Sequence, residues 1–141
     1  MVSPDARVET KLARAVLPRR INHADGVYNL QRVALFSAAL FEGRYDLLWE
    51  AMQDRLHQKQ RTTSVPGLAD ALATSRMQGL LGVALSGAGP SVVALAQSHF
   101  DQIGETIAQC FKQRGIDATV RHLAVDYSGC QGRRLQSSRS I

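Results

Sequence analysis

Leu80-Leu81-Gly82-Val83-Ala84-Leu85-Ser86-Gly87-Ala88-Gly89-Pro90-Ser91-Val92-Val93-Ala94-Leu95 is the stretch that decides the fold. Its two apolar runs, Leu80 to Ala84 and Val92 to Leu95, have the length of buried strands. Between them, Leu85 to Ser91 holds two glycines one residue apart, a proline and bracketing serines. Glycine takes positive φ without a Cβ clash and admits close backbone approach. Pro90 lacks an N–H and fixes φ, so it stiffens the exit. Two readings stand: an ordinary hairpin connection, or a turn whose backbone N–H groups face an anion. The local pattern favours the hairpin, because short glycine-rich turns are common.

Working outward, Ser98 opens a helix with Asp101 as a capping-box-like partner. Phe100, Ile103, Ile107 and Phe111 form its apolar stripe, Cys110 borders that stripe, and Gly115 closes the helix. Asp117 to Val125 reads as a last strand, rich in β-branched and small residues. Upstream, Leu68 to Arg76 is a short helix behind the loop Thr62 to Gly67. Arg44 to about Lys59 is a helix striped by Leu48, Met52 and Leu56. Its polar end carries Asp54, Arg55, His57 and Arg61. Asn22 to Phe41 is the clearest helix, striped by Val27, Leu30, Ala34, Leu35, Ala38 and Phe41. Asn22 caps it, Asp25 suits its first turn, and Gly43 ends it. Asn29 and Arg32 lie off that stripe; a cleft lining and solvated side chains are both open readings, and the pattern favours the second. Glu9 to Leu17 is a short helix stopped by Pro18. Thr10 and Arg14, four apart on it, share one face. Val2 reads as the stub of a strand.

The order is helices, then strand–turn–strand–helix–strand. The expected fold is α+β: a small antiparallel sheet of ferredoxin-like type, covered by helices. With 141 residues and 45% apolar content, one domain with a real core is expected. That domain spans residues 1–131, and 132–141 is a basic polar tail expected to be disordered. Cys110 and Cys130 have no C-x-x-C spacing and read as reduced thiols of a cytoplasmic protein. No apolar run approaches the ~20 residues of a membrane span. The net charge of +5 and pI of 9.8 draw on the tail. No aromatic platform falls on the expected strands, which argues against nucleic acid.

Four patterns, in order, resemble the C-terminal domain of the GHMP kinase superfamily and, within it, the homoserine kinases. Thr10-x-x-Ala13-Arg14-x-x-Leu17-Pro18 resembles the family's T-x-x-A-R-x-x-L-P helix. Asp25-x-Val27-x-Asn29-x-x-Arg32 resembles the opening of its long helix. Asp54-Arg55-Leu56-His57-x-x-x-Arg61 followed by Pro66-Gly67 resembles D-x-[IL]-H-x-x-x-R and its P-G loop. Leu85 to Ser91 resembles the third superfamily motif, L-S-G-A-G-P-[ST]. The resemblance implies ATP-dependent phosphorylation of the homoserine side-chain hydroxyl, in threonine biosynthesis. It implies Arg14 and Arg61 as holders of the substrate carboxylate, a planar anion that guanidinium forks suit. Thr10 would lie near the reacting hydroxyl, and Ser86, Gly87, Ala88 and Gly89 would support the phosphate-binding loop.

The family's first half, with its P-x-x-x-G-L-G-S-S loop and acidic Mg2+ ligand, is not in these residues. The expectation is therefore a fragment or one half of a split enzyme, incomplete by itself. ATP, Mg2+ and homoserine would bind in the joined protein, a homodimer fits the family, and a docking patch should stay exposed. The alternatives are a kinase for another small alcohol, or a non-catalytic ferredoxin-like binding module.

Overall fold

The structure, a computed structural model, describes residues 1–129 and 132. Cys130 and residues 133–141 of the expected tail lie outside the described residues. Strand β1 (Val2–Pro4) is followed by helices α1 (Thr10–Ala15), α2 (His23–Phe41), α3 (Leu48–Ala51), α4 (Gln58–Arg61) and α5 (Leu68–Leu72). Then come β2 (Leu80–Leu85), β3 (Val92–Ala96), α6 (Phe100–Lys112) and β4 (Ala118–Val120). The strands form one sheet in the order β2-β3-β1-β4, with every pairing antiparallel. This is the split βαβ arrangement expected from the sequence.

The core lies where α5 and α6 meet the sheet. Ile103, Ile107 and Phe111 of α6, Leu68 of α5, Val2 of β1 and Val92 of β3 are fully buried. Ile103, Ile107 and Phe111 recur every four residues, so one face of α6 meets the sheet. Each such side chain contributes about 1.5–3 kcal/mol by leaving water. Phe100, at the outer end of the stripe, stays half exposed. Ser98 is not the cap: residue His99 holds that place at φ 56°, and the Ser98 hydroxyl meets His99 Nδ1 instead.

Gly67 shows how closely α5 approaches α6. Its φ is +88°, and a Cβ there would lie 2.5 Å from the Cys110 carbonyl oxygen and 2.9 Å from Phe111 Cα. Both obstacles are backbone. Gly67→Ala is therefore expected to cost about 2 kcal/mol or more, read as a lowered midpoint in urea unfolding.

Three sequence expectations need correction. The Arg44-to-Lys59 helix is broken. A 3-10 turn at Tyr45–Leu47 leads into α3, the chain opens at residues 52–57, and α4 starts at Gln58. The Asp54 carboxylate binds the backbone N–H groups that a continuous helix would need, the usual way an aspartate competes with helix. The last strand stops at Val120 rather than Val125. And most of the long stripe of α2, Leu35 excepted, faces outward. Asn22 caps α2 as expected, accepting from the Ala24 N–H at 3.0 Å, and Gly43 ends it at φ +68°. Yet Leu30 is 72% exposed and Phe41 90%. The inward side carries Tyr28, Asn29, Arg32, Leu35, Phe36 and the buried Ala39. Hydrophobic spacing identifies an apolar face but not what covers it; among the described residues, nothing covers Leu30 or Phe41.

Candidate functional site

Three separate segments meet at Arg61. This side chain ends α4 and is 8% exposed. Its Nε–H donates to the Ala13 carbonyl of α1 at 3.2 Å, and Nη1 donates to the Gly87 carbonyl at 2.9 Å. One guanidinium thus ties α1 to the glycine turn. Among the described residues no acceptor is bonded to Nη2, which leaves that nitrogen for an anion. Arg14 follows Ala13 directly and is exposed, in the last turn of α1. Thr10 opens the same helix. The sequence-derived residues Thr10, Arg14, Arg61 and Ser86 to Gly89 therefore sit on elements that the fold brings together. Their chemical roles are a separate matter, taken up below.

The glycine turn is a hairpin connection between β2 and β3. Ser86 N–H donates to Ser91 O at 2.8 Å, and Gly89 N–H donates to Ser86 O at 3.0 Å. Gly87 and Gly89 have φ of +59° and +80°, which is why glycines stand there. The turn offers Arg61 a carbonyl, and two of its N–H groups are spent internally. Gln58 braces the strand below it: Oε1 accepts from Leu85 N–H at 2.7 Å. Nothing in the sequence pattern marked Gln58 out, since a lone glutamine on a short helix carries no motif.

Behind Arg61 lies a polar knot built on Asp54. Asp54 Oδ1 accepts from the backbone N–H groups of Leu56 (3.1 Å), His57 (2.7 Å) and Gln58 (2.7 Å). Its Oδ2 meets Asn29 Nδ2 at 2.6 Å and His57 Nδ1 at 2.8 Å. Asn29 Oδ1 in turn accepts from Arg55 N–H at 3.0 Å. Burial alone would raise the carboxyl's pKa. The bonds from Gln58, His57 and Asn29, with the nearby imidazole, outweigh it and lower the pKa. Arg32 lies on the same inward side of α2, paired with Glu50 at 2.9 Å and stacked 4.1 Å from the Tyr28 ring centre. Arg55 stacks on that ring too, at 3.8 Å. The knot holds α4, and therefore Arg61, at a fixed angle to α2. A hollow of about 220 Å³ opens beside it, lined by Asn29, Asp54 and His57 among others.

An antiparallel split βαβ sheet, with an L-S-G-A-G-P-S turn held by a buried arginine, defines a class. Residues 36–113 match the family model described as GHMP kinases C terminal, and the chain belongs to the GHMP kinase family. Within it, the chain is 42% identical over 129 residues to a homoserine kinase of Persephonella marina, covering 92% of this chain and 43% of that protein. It is 45% identical over 134 residues to a homoserine kinase of Deinococcus radiodurans, covering 92% and 38%. A crystal structure of homoserine kinase from Cytophaga hutchinsonii superposes with a TM-score of 0.77 at 30% identity, covering 84% of this chain and 38% of that one. The chain thus spans about two fifths of the length of these relatives.

Proposed function

We propose that this chain supplies the C-terminal part of a homoserine kinase, which transfers the γ-phosphoryl group of ATP to the homoserine side-chain hydroxyl in threonine biosynthesis. The observation that carries the proposal is the convergence of α1, Arg61 and the glycine turn, in a chain over 40% identical to proteins bearing that name. In this reading Arg14 and the Nη2 edge of Arg61 hold the substrate carboxylate. A fixed fork matches a planar anion in a way that a lysine point charge does not. Thr10, one turn before Arg14, stands by the reacting hydroxyl. Ser86 to Gly89 support the phosphate-binding segment. As the hydroxyl oxygen bonds to the γ-phosphorus, the bond to the β–γ bridging oxygen breaks and ADP leaves. Positioning and charge stabilisation dominate such transfers, so preset donors matter more than a strong base.

Among the described residues, no group of three or more His, Cys, Asp or Glu side chains is placed to hold a metal ion. By the family resemblance, Mg2+ and the main contacts to ATP belong to the portion of the relatives' length that the chain does not span. That N-terminal GHMP portion, joined or separate, is the required partner, and a homodimer is compatible with it. No helix of the described residues is long and apolar enough to cross a membrane. The cytoplasm is the compartment we assign.

Arg14 gives a clean test, because its side chain is exposed and makes no hydrogen bond or ion pair among the described residues. The chain is grafted in place of the matching part of the Deinococcus radiodurans enzyme. Arg14→Ala in that hybrid is expected to raise KM for homoserine about 30-fold, as loss of roughly 2 kcal/mol of charge-assisted bonding requires. Stability should move by less than about 0.5 kcal/mol. An unchanged KM would remove Arg14 from the substrate site.

A further inference from the structure

β2 lies at one edge of the sheet, in the order β2-β3-β1-β4. Across the hairpin, Ser86 N–H donates to Ser91 O. By the alternation of an antiparallel ladder, Leu85 N–H therefore points the other way, out of the free edge. A glutamine side chain meets it there. Gln58 Oε1 accepts from Leu85 N–H at 2.7 Å, and Gln58 Nε2 donates to the Met52 carbonyl at 3.3 Å. The side-chain amide thus stands where the peptide group of a neighbouring strand would. Leu85 is 7% exposed, so its N–H has little access to water in exchange.

Gln58 is itself held from behind: its backbone N–H donates to Asp54 Oδ1 at 2.7 Å. Three residues on, along the same face of α4, Arg61 Nη1 donates to the Gly87 carbonyl at 2.9 Å. One short helix therefore grips the hairpin at two places, Leu85 at the root of the turn and Gly87 within it.

We infer that Gln58 is a positioning residue for the phosphoryl transfer proposed above: it fixes where the turn Ser86 to Gly89 stands relative to Arg61. The inference rests on that functional reading for its catalytic consequence, and on the bonds just described for its geometry. The turn's internal bonds, Ser86 N–H to Ser91 O and Gly89 N–H to Ser86 O, shape it but leave its height over α4 free. Gly87 and Gly89 carry no side chain that could anchor it. Arg61 ties it at one point, about which it can pivot, and the Leu85 bond removes that freedom. Glutamine suits the place because one planar group offers an acceptor to Leu85 and a donor to Met52 at once. Both ends of its amide are committed within the chain, so it acts on the reaction only through the turn.

The test compares Gln58→Met with Gln58→Glu. Methionine matches the stem and accepts no strong bond, whereas glutamate keeps an oxygen for Leu85. In the full chain, amide hydrogen exchange is read by NMR at Gly89, whose N–H closes the turn, and at Ala84, which pairs with Val93 inside the sheet. Gln58→Met should speed exchange at Gly89 about tenfold or more and leave Ala84 unchanged, and Gln58→Glu should restore the slow rate. In the hybrid enzyme, Gln58→Met should lower kcat about tenfold with KM for homoserine within about twofold, since a displaced turn costs the transition state and not the carboxylate contact. Gln58→Glu should recover most of that kcat. Unchanged exchange at Gly89 would overturn the inference and leave Gln58 as a cover for the strand edge. Equal acceleration at Ala84 would also overturn it, because the whole sheet would then depend on Gln58. So would a raised KM with kcat unchanged. An unmodified hybrid that shows no homoserine-dependent turnover would sink the functional reading instead, and the exchange rates would still decide whether Gln58 sets the turn.

Discussion

Arg61→Met lowers the stability of the chain by about 3 kcal/mol and frees α1. Methionine replaces the buried stem but none of the donors. The Ala13 and Gly87 carbonyls lose their bonds to Nε and Nη1, and hydrogen bonds to charged groups contribute about 1.5–3 kcal/mol each. The loss falls between segments far apart in sequence, so it shows as local opening: amide exchange in α1 should rise before the rest of the sheet responds. Arg61→Lys recovers little, because an ammonium cannot span two carbonyls as a planar fork does. In the hybrid enzyme the same change is expected to raise KM for homoserine about 100-fold. Arg61 and Arg14 are thereby separated: Arg61 moves stability and KM together, Arg14 moves KM alone. Urea unfolding of the chain and steady-state kinetics of the hybrid check the two halves.

Asp54→Ala has an effect of similar size without touching the substrate. It strips three backbone N–H groups at the start of α4, together with Asn29 and His57, of their acceptor. We expect a loss of about 2–3 kcal/mol, since several partly buried donors lose their acceptor together. The pH dependence carries the sign. The folded carboxyl has a lowered pKa, so its contribution is complete above the unfolded value of ~3.9 and is lost as pH falls through the folded one. The unmodified chain should therefore lose stability below about pH 4. Asp54→Asn should start less stable and show a shallower decline over that range. Parallel pH profiles of urea midpoints would contradict the role given to the carboxylate.

The sequence carried the parts of the fold governed by local rules. The β2–β3 hairpin follows from two strand-length apolar runs around Gly87 and Gly89. The bounds of α2 follow from Asn22 and Gly43, and the buried face of α6 from Ile103, Ile107 and Phe111. What the sequence did not carry depends on partners distant along the chain. Asn29 and Arg32 look like solvated residues on a helical wheel. They face inward because Asp54, Arg55 and Glu50 meet them from another segment. The same Asp54 breaks the helix that Leu48, Met52 and Leu56 suggest. The last strand ends early because pairing, not β-propensity, sustains a strand, and among the described residues β4 pairs with β1 only from Ala118 to Val120. At the site, T-x-x-A-R and D-x-[IL]-H-x-x-x-R name Thr10, Arg14 and Arg61, whose elements the fold brings together. That Arg61 also holds the glycine turn in place was not legible, because a guanidinium's choice of carbonyls leaves no mark in sequence spacing.

The most direct measurement is homoserine-dependent ADP formation by the hybrid, in which this chain replaces the matching part of the Deinococcus radiodurans enzyme. Circular dichroism and gel filtration establish that the hybrid is folded. The account predicts turnover with homoserine that exceeds turnover with mevalonate or galactose by about 100-fold or more, the specificity that paired carboxylate contacts confer. A folded hybrid that forms ADP no faster with homoserine than without it, or that prefers another alcohol, would contradict it.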